Sequence, residues 1–329
     1  MKRQLFLLLS GIALFLSLFA GGVVLHYFAQ NSYKRGNLSQ SSFRQDNLQP
    51  QELESHWIVS ATQGLALVNQ QATLLDARHC RVFPCRQLPG AVSVSWQEFS
   101  QSEPGDRGKL LEDDALLTAK LQALGIDQER AVVVVGDPKK GWGEEGRIVW
   151  MLRTLGHSQV FLVDGGYKAL LAAGLEKKEF QEASRGNFVV QRRQDWQLSR
   201  EDLQDRLGQD NVVIIDSRSE PEYKGKTPYG EVRGGHVPGA IHLHYKDLLA
   251  ADGRLLSREE ILRQLQEKGI TPEVEIISYC TGGVRSGWLT AVLVDLGFNA
   301  KNYAGSMWEW SASPESEYPL KQLINTNNQ

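Results

Sequence analysis

The chain has 329 residues, 41% of them hydrophobic, enough to bury two ordinary cores and, by length, to form about two domains. Its 36 basic and 39 acidic residues nearly cancel, so charge gives no reason to expect a nucleic-acid partner. Short basic pairs such as Lys139-Lys140 and Arg192-Arg193 read as solvated surface.

In chain order, the first element is not globular. After a basic start at Lys2 and Arg3, the run from Leu5 to Leu25 carries no charge. About 20 such residues span a hydrocarbon core of ~30 Å, so residues 1–29 are expected to form an uncleaved membrane anchor. The alternative is a signal peptide, for which Ala20-Gly21-Gly22 is the best cleavage site on offer. The leading basic pair favours a body exported across the inner membrane and facing the periplasm, although Lys34 and Arg35 pull the other way. Cleavage would instead release the body into the periplasm. Residues 30–54, rich in Gln, Asn and Ser, read as a flexible spacer.

The rest of the chain repeats itself. "ATLLDAR" (72–78) matches "VVIIDSR" (212–218), and "LPGAVSVSWQEF" (88–99) matches "VPGAIHLHYKDL" (237–248). "KLLEDDALLTAKLQALGID" (109–127) matches "RLLSREEILRQLQEKGIT" (254–271), and "RAVVVVGD" (130–137) matches "VEIISYC" (274–280). "LGHSQVFLVDGGY" (155–167) then matches "LGFNAKNYAGSMW" (296–308). Matches in the same order throughout mean a duplication. The halves are expected over residues 55–181 and 196–322, joined near residues 182–196. Short apolar strands alternate with amphipathic helices in each half, which predicts an α/β sheet flanked by helices. Ser60 with Gln63, and Ser199 with Asp202, resemble capping boxes that start helices. Strands such as "AVVVV" are apolar throughout, as a parallel sheet covered on both faces requires.

Ligands of such sheets bind beyond the carboxyl ends of strands, and Cys280 directly follows "EIISY". The loop "CTGGVRS" (280–286) places a thiol before two glycines and an arginine. Gly282 and Gly283 permit a tight turn that aims N–H groups inward, and Thr281, Val284 and Ser286 complete the ring. The following segment is apolar at helical spacing, so a helix N-terminus would point at the sulfur. With Arg285 beside it, the thiol is set to ionise, as a nucleophile requires. The bland alternative for Cys280 is a packed core thiol.

With these blocks in view, the body resembles the two-domain rhodaneses, the thiosulfate and 3-mercaptopyruvate sulfurtransferases. "IIDSR", "GGHVPGAIHL", "CTGGVRS" and "YAGSMWEW" carry the resemblance, which covers residues 55 to 322. It implies tandem rhodanese-like domains, each a mostly parallel sheet flanked by helices, with a silent first half and Cys280 as catalytic residue. In the first half Asp137 is taken as the match of Cys280, and an aspartate cannot carry sulfur. The resemblance further implies a Cys280 persulfide that takes sulfur from a small-molecule donor and passes it to a thiol or cyanide. Arg218 matches a substrate-binding arginine of the family, and Arg285 is assigned the same role. No cofactor or metal is implied.

The sequence departs from both branches of the family. Gly282 stands where mercaptopyruvate enzymes carry a hydroxyl and animal thiosulfate enzymes carry lysine, and Glu222 is the nearest match to a second substrate arginine. Thiosulfate, or a persulfide donor, is therefore favoured over mercaptopyruvate. Related phosphatases need five residues between cysteine and arginine, whereas four separate Cys280 from Arg285 and the phosphatase position holds Ser286. A non-catalytic sulfur- or protein-binding module is the remaining alternative, against which the intact Cys280 and Arg285 argue. His236 reads as a structural hydrogen-bonding residue. His242 and His244 alternate along a strand without making a metal site. Trp308 and Trp310 read as core aromatics, with Trp308 able to wall the pocket. In an exported body Cys80 and Cys85 would either pair or remain as two thiols.

Overall fold

The computed structural model describes residues 55–78, 88–176 and 184–322. The Leu5–Leu25 run, the spacer and the Cys80–Cys85 segment lie outside the described residues, as do the anchor and disulfide expectations attached to them. Among the described residues, no helix is long and apolar enough to cross a membrane.

The first domain contains β1 (Ile58–Val59), α1 (Ala61–Asn69), β2 (Thr73–Asp76), β3 (Val92–Ser93), α2 (Asp114–Ala123), β4 (Val132–Val135), α3 (Glu144–Thr154), β5 (Val160–Val163) and α4 (Gly166–Ala172). The second contains α5 (Arg200–Asp205), β6 (Val212–Asp216), α6 (Glu220–Tyr223), β7 (Ile241–His242), α7 (Arg258–Glu267), β8 (Glu275–Tyr279), α8 (Val284–Asp295), β9 (Asn299–Asn302) and α9 (Ser306–Ala312). The strands form two sheets, ordered β1-β5-β4-β2-β3 and β7-β6-β8-β9, with every pairing parallel. Taken from its other edge, the second sheet runs β9-β8-β6-β7, the order of β5-β4-β2-β3. The sequence duplication is thus a duplication of topology. The counterpart of β1 is reduced to one parallel bridge between Gln197 and Asn302.

Local sequence explains the elements. The valines of β4 are β-branched and wholly buried, as a central strand covered on both faces demands. Ser60 caps α1 and Ser199 caps α5, each in a reciprocal capping box with the residue three further on. α7 buries Ile261 and Leu265, one turn apart, and leaves its charged residues outside. α8 is different: every residue from Val284 to Leu293 is buried, because it is wedged between its own sheet and α3.

The two domains meet through those helices. A Cβ on Gly146 would lie 2.5 Å from the Trp288 backbone, so α3 and α8 touch almost main chain to main chain. Polar bonds cross around this contact. Asp295 accepts from the Trp57 N–H at 2.7 Å, Asp164 from the Leu255 N–H at 2.8 Å, and Lys109 Nζ reaches Glu309 at 3.1 Å. Tyr245 Oη donates to the Gly141 carbonyl at 2.9 Å.

Candidate active site

Cys280 is the first residue after β8, with Ile276 through Tyr279 buried beneath it. Its own N–H donates to Ser306 Oγ at 3.0 Å, and the Ser306 hydroxyl in turn donates to the Tyr303 carbonyl at 2.7 Å. Ser306 sits at φ 52°, a backbone conformation uncommon outside glycine. The hydroxyl bond fixes the start of the loop.

Thr281 and Gly282 then lead to Gly283, whose φ of 77° makes the left-handed turn into α8. A side chain at Gly283 would also strike the Ala304 carbonyl, and one at Gly282 would enter the Trp308 ring. Trp308 therefore walls the loop, with its indole N–H on the Tyr229 carbonyl at 2.9 Å, while Trp310 is wholly buried in the second core. From the first domain, Gly108 presses on the Gly282 carbonyl, where a Cβ would come within 2.5 Å.

The loop is built to hold an anion. Burial pushes the Cys280 thiol up, but Arg285, the Ser286 hydroxyl and the N–H groups of Ser286 and Gly282 outweigh it and leave the thiol below its ordinary value. Ser286 is fully buried, and its hydroxyl is among the groups that favour the charged thiol. The N-terminus of α8 adds its positive dipole end.

Arg285 does not stand free over the sulfur. Its Nη1 and Nη2 donate to the two oxygens of Glu222 at 2.8 Å each, and Nη2 also donates to Thr281 Oγ1 at 2.6 Å. Burial would lower this guanidinium, yet Glu222 and the Cys280 charge raise it above its usual value. Burial likewise opposes ionisation of Glu222, and the bond to Arg285 still holds the carboxyl down to about 2. Thr281 Oγ1 lies 3.1 Å from Glu222 and 3.3 Å from Glu231. Arg285 is therefore a strut between α8 and α6 that carries charge beside the thiol, rather than an open receptor for a sulfonate.

Arg218 corrects its sequence expectation more fully. It is wholly buried, with Nε 2.9 Å and Nη2 2.6 Å from the oxygens of Asp216 and Nη2 2.7 Å from the Gly235 carbonyl. In the first domain Arg78 makes the same pair with Asp76, although the loop after β4 carries no cysteine. The Asp-x-Arg pair thus belongs to the fold, and Arg218 offers no surface to a donor arriving from solvent.

A second correction concerns the silent loop. Asp76 pairs with Val135 and Asp216 with Tyr279, so the residue after each central strand is Gly136 in one half and Cys280 in the other. The Gly136 carbonyl accepts from Tyr167 N–H as the Cys280 carbonyl accepts from Met307 N–H. Asp137, the match expected from sequence, is displaced by one because the silent loop is longer.

Of the remaining candidates, His236 Nδ1 donates to the Tyr223 carbonyl at 3.0 Å and its ring stacks on Tyr223 at 3.9 Å, a structural role as expected. β7 ends at His242, which contacts the Arg218 carbonyl at 2.8 Å, while His244 opens the next turn 3.8 Å from Asp247. Sequence reasoning missed Ser306, although the repeat aligns it with Gly165 and so exposes a polar substitution at a turn. It also missed Glu222 and Glu231 as partners of the loop, for which spacing gives no signal.

Comparison with known proteins places this geometry in a family. The model of the rhodanese-like domain matches twice, at residues 60–173 and 199–313. A thiosulfate sulfurtransferase of Pseudomonas aeruginosa is 33% identical over 245 residues, covering 74% of this chain and 89% of that protein. A probable 3-mercaptopyruvate sulfurtransferase of the same organism is 32% identical over 243 residues, covering 71% and 84%. The Tum1 protein of Saccharomyces cerevisiae shares the fold, with a TM-score of 0.69 at 16% identity over 82% of this chain and 98% of that one. The chain belongs to the rhodanese family and has two rhodanese-like domains. It is a sulfurtransferase of that family.

Proposed function

We propose that the protein moves a sulfane sulfur from thiosulfate to a thiophilic acceptor through a persulfide on Cys280. The observation that carries this reading is a buried thiol held below its ordinary pKa by Arg285 and by inward N–H groups. The Cys280 thiolate attacks the outer sulfur of thiosulfate, forming a new S–S bond while the old one breaks and its electron pair leaves with sulfite. A thiolate or cyanide then attacks the outer sulfur of the persulfide, and the electron pair of that bond returns to Cys280. The loop stabilises the anion at both ends of the cycle. Mercaptopyruvate is the second reading. Against it, Glu222 occupies the place of an arginine for the substrate carboxylate and is itself paired to Arg285.

The Leu5–Leu25 run further supports anchorage in the inner membrane with the body in the periplasm. Protease added to spheroplasts tests this: digestion of the body is expected, and protection until lysis overturns it. The activity is tested by sulfite release from thiosulfate with cyanide as acceptor, beside Cys280→Ser. The variant is expected to lose on the order of a thousandfold or more. A wild type inert toward both thiosulfate and mercaptopyruvate would sink the proposed reaction.

A further inference from the structure

Arg147 lies in the first domain, on α3, and is wholly buried. Where its Cα passes α8, the facing residue is Gly287, and this close approach carries the guanidinium under the active loop. Nη1 donates to the Gly283 carbonyl at 3.2 Å. Nη2 donates to the Gly108 carbonyl at 2.5 Å and to Ser100 Oγ at 3.2 Å, and Nε is buried without a partner. The Trp150 ring lies 4.5 Å from the guanidinium carbon.

Every one of these partners is neutral. Among the described residues, Arg147 has no ion pair with any carboxylate. A guanidinium buried without a counter-ion is strongly unfavourable. Burial pulls Arg147 down to about 9, and the charge that opposes this is that of Cys280. The ionisable groups around the sulfur are Arg285 on its own helix, Arg147 on α3 and Tyr245 in the turn after β7, with Glu222 and Glu231 behind Arg285. Arg285 is already neutralised by Glu222 and is the stronger influence on the thiol. Arg147 is the cation of this group without a carboxylate partner.

We propose that Arg147 is a positioning residue by which the silent domain supplies the buried counter-charge of the Cys280 thiolate and persulfide. This rests on Cys280 as the sulfur carrier, but its first readout needs no turnover. The ionisation of Cys280 is followed in the full chain by ultraviolet thiolate absorbance against pH, taken as the difference from Cys280→Ser in the same background. Arg147→Met removes the charge with little loss of volume, Arg147→Gln keeps a hydrogen-bond donor, and Arg147→Lys keeps the charge. Both neutral variants are expected to move the midpoint upward, with a roughly tenfold smaller thiolate fraction below it, and Arg147→Lys to restore most of that loss. An unchanged midpoint in the neutral variants, or an equal shift in Arg147→Lys, overturns the proposal. Failure of both neutral variants to fold also overturns it, by assigning Arg147 to structure alone. A wild type with this signature but no sulfur transfer would count against the proposed function and leave the role of Arg147 standing.

Discussion

The loops after β4 and β8 occupy the same place in the two domains and do opposite things. Both follow a buried central strand, and both enter a helix through a left-handed glycine, Gly143 at φ 83° and Gly283 at φ 77°. Counting from those glycines, Glu145 stands where the second domain has Arg285. A Cβ on Gly136, the counterpart of Cys280, would collide with the Glu145 carboxyl. The silent half has therefore lost more than a nucleophile. A carboxyl occupies the space of the sulfur, and the neighbouring charge is reversed in sign. Burial, with Glu144 and Asp137 nearby, pushes Glu145 up to about 8, and neither of its oxygens has a hydrogen-bond partner. Where one loop holds an anion, the other holds a carboxyl whose proton burial retains.

The contrast can be broken most forcefully on the active side. Glu222→Ala strips Arg285 of its carboxylate and leaves a buried charge, which is expected to cost about 3–5 kcal/mol in urea unfolding. A loss below about 1 kcal/mol would mean that the strut between α6 and α8 is dispensable. On the silent side the effect has the other sign. Folded Glu145 keeps its proton up to about pH 8, whereas the unfolded carboxyl releases it near 4.5, so folding loses stability as pH rises between those values. Glu145→Gln is expected to flatten that slope and to recover on the order of a few kcal/mol at pH 8. Parallel stability–pH curves for the two proteins would refute the plug. The smallest expected effect is the most pointed: Gly136→Cys in a Cys280→Ser background should restore no thiocyanate formation. Any recovered activity would show that the first loop lacks only its thiol.

Much of this was legible from sequence because the repeat supplies an internal ruler. Block matching located both domains' strands, and the position of Cys280 after an apolar strand marked the end of the sheet where ligands bind. The capping serines Ser60 and Ser199 were readable because a cap is a local event within four residues. What escaped depends on contacts distant in sequence. Glu222 and Arg285 are 63 positions apart, and nothing in either neighbourhood announces the other. Arg218 was misread because its motif looks like a binding site, while only the twin pair Arg78–Asp76 shows that the fold itself requires it. Asp137 was misaligned because insertion in the loop shifts the match, and only strand register corrects it. Arg147 left a faint trace, a charge at the head of the apolar run "IVWML", whose meaning depends on a helix in the other domain.

The burial of α8 on all sides carries a further consequence for the molecule as an assembly. Much of its covering comes from α3, so the two domains share a buried face as the subunits of a heterodimer do. The connecting residues 184–196 are themselves packed on the first domain, with Phe188 wholly buried and the N–H groups of Gln191 and Arg193 on the Leu155 and Thr154 carbonyls. Neither domain is expected to be competent alone, since separation would bare an apolar helix and remove Gly108 and Arg147 from the Gly282 and Gly283 carbonyls of the loop. In these terms the first domain is a structural partner of the second, packed against the loop that carries Cys280.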